Sequence, residues 1–84
     1  MSSARVSLPP ELDRLLRSEM LECIEEANLG QLDTTVAKRY LIDQWAQIDI
    51  AAELGLGRTT ISDRIPRIVN KVRNAATVLG KIRT

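Results

Sequence analysis

The side chains best suited to chemistry lie between residues 47 and 65, and above all in Ala51-Ala52-Glu53-Leu54-Gly55-Leu56-Gly57-Arg58-Thr59-Thr60-Ile61-Ser62-Asp63-Arg64-Ile65. A small residue at Ala51, a glycine four positions on and a β-branched residue six beyond that give the spacing of a helix-turn-helix. Two short helices that cross closely need a small side chain where they touch, and Ala51 supplies it. The chain between them must turn sharply, and Gly55 can take a positive φ at little steric cost. Ile61 and Ile65 can give the second helix a buried face. Arg58, Thr59, Ser62 and Asp63 then point outward, as guanidinium, hydroxyl and carboxylate groups that can reach base edges in a DNA groove.

The remaining residue types exclude more than they suggest. Histidine is absent, which removes the commonest acid–base group and metal ligand. Cys23 stands alone, so neither a disulfide framework nor a cysteine metal site is expected. No nucleophile–base pairing and no phosphate-binding glycine loop is present, and Gly55-Leu56-Gly57 reads as a helix turn. The acidic pairs near the N-terminus read as a solvated face. An enzyme is not expected, and neither is a cofactor or a metal. No apolar run approaches the roughly 20 residues of a membrane span, and no signal peptide is visible, which predicts a cytoplasmic protein, or a nuclear one if the source has a nucleus.

Charge is unevenly distributed. Residues 1–53 carry five basic side chains against ten acidic ones, whereas residues 54–84 carry seven basic ones against Asp63 alone. The net charge of +1 therefore conceals a dipolar molecule. The basic half begins at the turn of the motif and suits a polyanionic partner.

The elements that must hold the motif are helical. With one Trp, one Tyr and no Phe, a core must be aliphatic, which favours packed helices. The expected fold is all-α, a single domain of four to five helices with a helix-turn-helix at 47–65 and a long C-terminal helix. Residues 1–8 read as a flexible arm. Pro9 and Pro10 suit a helix start. Leu12, Leu15, Leu16, Met20, Cys23, Ile24 and Ala27 then recur at helical spacing, with Gly30 as the left-handed residue after the helix end. Asp33 is expected to cap a second helix, with Leu32 packing on Ala37 and with Val36, Tyr40 and Leu41 as its inner face. Residues 43–46 connect to the motif, with Trp45 filling the core. The third helix is expected over 47–54 and the fourth from Arg58.

Beyond the motif an apolar seam continues through Ile61, Ile65, Ile68, Val72, Ala75, Leu79 and Ile82, in alternating steps of four and three. That is a heptad period. It fits either a helix covering the core or a helix that pairs with a second copy, with residues 66–82 as a dimerisation helix along Ile68, Val72, Ala75, Leu79 and Ile82. Pro66 interrupts the pattern. It predicts either a bent continuous helix or a break, with a fifth helix from Pro66.

The run Ile50-Ala51-Ala52-Glu53-Leu54-Gly55-Leu56-Gly57-Arg58-Thr59-Thr60-Ile61, followed by Asn70-Lys71-Val72-Arg73, resembles region four of bacterial RNA polymerase sigma factors. LuxR-type regulators share much of the pattern. The resemblance spans residues 32–73 and implies that the first, second and sixth residues of a recognition helix, here Arg58, Thr59 and Asp63, touch bases. Gln47, Ser62 and Arg67 suit phosphate, with Lys71 and Arg73 as further basic candidates and Arg64 nearer the flank. The family's usual Ser cap is Gly57 here. In 84 residues the promoter-melting and core-gripping regions of a sigma factor are not expected. A small autonomous regulator is expected, acting on double-stranded DNA as a homodimer paired through the C-terminal seam or the acidic first helix. RNA polymerase docking through the acidic half, and a DNA-packaging or partition role, are the alternatives.

Overall fold

In a computed structural model, which describes residues 8–82, the chain is all-α, with no strand among the described residues. The helices are α1 (Pro10–Asp13), α2 (Arg17–Glu26), α3 (Gln31–Ala37), α4 (Gln47–Leu54) and α5 (Arg58–Val78). A single π-helical turn, Lys38–Ile42, extends α3. The arm expected at residues 1–8 lies outside the described residues, Leu8 apart.

The first expected helix is divided in two. Pro9 and Pro10 do start it, but α1 lasts one turn. The chain then extends at Leu16, which is 67% exposed rather than buried. The Leu16 N–H donates to Glu19 Oε1 at 2.9 Å, which satisfies one of the free donors at the start of α2. Leu12 before the break and Met20 after it are both buried in the core.

Two further boundaries differ from expectation. The left-handed residue after α2 is Asn28, at φ 53°, whereas Gly30 at φ 90° and ψ 165° precedes α3. That backbone region is essentially closed to side-chain-bearing residues, so Gly30 is needed for the reversal into α3 and not for ending α2. Asp33 does not cap α3. The helix already begins at Gln31, which places Asp33 inside its first turn, where a carboxylate also favours the helix dipole. Val36, Tyr40 and Leu41 are buried as expected. The π-helical turn is closed by an Asp43 N–H bond to the Lys38 carbonyl, and Gln44 then takes a left-handed conformation at φ 57°. This path sets Trp45 against the core, with the Arg39 guanidinium 4.8 Å from its ring centroid.

One core joins these elements. Its fully buried members include Leu12, Cys23, Ile24, Val36, Ile50, Ile61, Ile68 and Val72. Burial pushes the Cys23 thiol pKa above its ordinary value. No polar or charged residue is buried among the described residues. No helix among the described residues is long and apolar enough to cross a membrane.

The seam along α5 faces inward. Ile68, Val72 and Ala75 are all buried within the single chain, where α2 packs along α5. These residues are therefore not a dimer seam, because Met20, Cys23 and Ile24 of α2 belong to the same cluster. Ile82 also packs partly on the core, and only Leu79, at the end of α5, is exposed. Heptad spacing fixes that a stripe is buried but not what covers it. Pro66 lies inside α5, which runs through it unbroken. Pro66 has no N–H to give the Ser62 carbonyl, and both residues lie on the exposed side of α5. Continuous packing of Ile61, Ile65 and Ile68 on the other face spans the weak point.

Candidate nucleic-acid interface

The turn between α4 and α5 is built as its residues dictate. Gly55 takes φ 68° and ψ 29°. The Leu56 N–H donates to the Ala51 carbonyl at 2.9 Å and the Gly55 N–H to the Ala52 carbonyl at 3.3 Å. This pair of bonds is the Schellman arrangement, in which a left-handed residue satisfies the last free carbonyls of a helix. Leu56 turns inward against the core, and Ala51 is buried. Gly57 then starts α5 in extended geometry, at φ −72° and ψ 151°, with no side chain to cap the first N–H groups.

With Ile61 and Ile65 buried, Arg58, Thr59, Thr60, Ser62 and Asp63 are exposed along the first two turns of α5. The four residues expected at base edges are thus brought together on one short stretch of helix. Arg58, Arg67 and Lys71 form no ion pair among the described residues, and all three are exposed. A guanidinium at the start of a helix presented in this way can donate two parallel hydrogen bonds to one guanine, and the Asp63 carboxylate can accept from a cytosine amine.

The two flanks of this stretch are tied down. On one side the Ser62 hydroxyl donates to Gln47 Oε1 at 2.8 Å, joining the first residue of α4 to α5. Both residues were expected to meet DNA, Ser62 at a base edge or phosphate and Gln47 at phosphate; the structure first uses them on each other. On the other side Arg64 Nη1 lies 2.6 Å from Asp33 Oδ1, joining α5 to the first turn of α3. Arg64, one of the phosphate candidates, is thus paired with a carboxylate.

The more distal candidates do not join the patch. Arg67 does stand one turn beyond Asp63 on the exposed side. Lys71 and Arg73 follow about 20 Å beyond Arg58 at the helical rise, and they fall on opposite flanks of α5. Arg73 is half-buried, with Nε 3.8 Å from Glu11 Oε2. Sequence reasoning missed Asp33 as a partner of the motif, because it lies 31 residues from Arg64 and looked like a helix cap. The one sequence signal was Arg64 itself, an arginine on the side of the helix rather than at its outer face.

No protein-family model, no curated protein and no solved structure matches this chain.

Proposed function

We propose that this protein is a sequence-specific DNA-binding transcription regulator that lays the start of α5 in the major groove. The observation that carries this reading is the exposed cluster of Arg58, Thr59 and Asp63 on a helix fixed by the core and by Gln47 and Asp33 on its flanks. Direct readout needs side chains that are free to reach base edges on a backbone that is not free to move. The resemblance of residues 50–61 to region four of sigma factors supports the same orientation. The excess of basic side chains from residue 54 onward supports a polyanionic partner.

A homodimer on a two-fold site is the expected stoichiometry, since one short recognition helix reads only a few base pairs. The stripe from Ile68 to Ala75 is not its surface. The reading is tested by titrating duplex DNA with the purified protein at increasing salt. Affinity should fall linearly on a log–log plot, as several phosphate contacts require. Absence of measurable binding at low salt would defeat it.

A further inference from the structure

We infer that Asp33 is a positioning residue that withholds Arg64 from the DNA backbone, and so sets how many phosphates the start of α5 engages. The inference rests on the DNA-binding reading above. Asp33, Thr60, Asp63, Arg64 and Arg67 line one open cavity of about 260 Å³ on the α3 side of α5. Two guanidinium groups and two carboxylates share it, so the cavity is balanced in charge. Within it Arg64 Nη1 of α5 meets Asp33 Oδ1 of α3 at 2.6 Å.

Both side chains are partly shielded, at 38% and 26% exposure, so salt screens the pair less than it would a fully exposed one. A phosphate approaching this flank would have to compete with a carboxylate already in place. It would also meet the residual negative charge of Asp33 once Arg64 had left it. The α5 helix thus carries one arginine that adds to its sequence charge but not to its attraction for DNA. Arg67, one turn on and unpaired among the described residues, is the guanidinium this flank offers to phosphate. The arrangement favours readout at Arg58, Thr59 and Asp63 over charge attraction that is indifferent to sequence.

Two variants decide the matter, each measured by affinity for random-sequence duplex across a salt series. Asp33→Asn removes the competing charge and leaves Arg64 only a neutral oxygen acceptor, which a phosphate outcompetes, so Arg64 is released to the DNA backbone while the residue stays close to isosteric. Its salt slope should steepen by about one, and its affinity at about 0.15 M salt should rise roughly fivefold. Arg64→Gln, with Asp33 intact, should leave the slope of the wild-type protein unchanged. A flatter slope in Arg64→Gln would show that Arg64 already holds a phosphate and would overturn the inference, whether or not Asp33→Asn folds. An unchanged slope in a folded Asp33→Asn would overturn it as well. In either case wild-type binding would still stand, whereas a wild-type protein that bound no DNA would defeat the functional reading itself.

Discussion

The two faces of α5 are under different kinds of constraint. The inner face, with Ile61, Ile65, Ile68 and Val72, is buried and shares its contacts with three other helices. The outer face, with Arg58, Thr59 and Asp63, is exposed and makes no side-chain hydrogen bond or ion pair among the described residues. Residues on the first face determine where the helix is, and in the DNA-binding reading proposed above residues on the second would set what it recognises. Substitutions should separate the two, and failure of that separation would break the comparison.

The largest effect is expected inside. Ile61→Ala removes a fully buried side chain at the crossing of α4 and α5 and should cost about 2–5 kcal/mol of stability, seen as a lowered midpoint in chemical denaturation. Next comes the outer face. Arg58→Ala should leave that midpoint unchanged but lose about 1–3 kcal/mol of binding at the preferred site, with relaxed preference at one base position. If Arg58→Ala destabilised the fold as much as Ile61→Ala, the two faces would not be distinct.

The two glycines of the turn sharpen the comparison further. Gly55→Ala forces a side chain into left-handed geometry at φ 68° and should cost about 1–2 kcal/mol. Gly57 stands at an ordinary φ, and a Cβ there would meet only Thr60 Oγ1, at 3.9 Å. Gly57→Ser should therefore stabilise α5 by a few tenths of a kcal/mol through capping, measured as a slightly raised midpoint. Of two glycines in one turn, only one is demanded by the backbone.

Much of this was legible in the residues. The order small, glycine, β-branched at Ala51, Gly55 and Ile61 follows from local geometry, and local geometry is what sequence spacing reports. The bounds of α4, the start of α5 and the exposure of Arg58, Thr59 and Asp63 follow from it. What was not legible depends on packing between distant segments. The seam of α5 was periodic in either reading, and only the placement of α2 shows that it is covered from within. Asp33 looked like a cap because capping is a local rule, whereas its partner Arg64 is reached only after the chain has folded back. Leu16 carried the same helical spacing as its neighbours, yet the chain breaks there. The fate of Pro66 depended on whether packing on both sides could hold the helix together, and it does.

Selection of bound sequences from random duplex DNA tests the central claim most directly, run with the wild-type protein and with Arg58→Ala in parallel. The account expects the wild-type protein to enrich a short motif, repeated with two-fold symmetry, and Arg58→Ala to lose preference at one position in each half. A pool that stays random with the wild-type protein, or a motif left intact in Arg58→Ala, would contradict it.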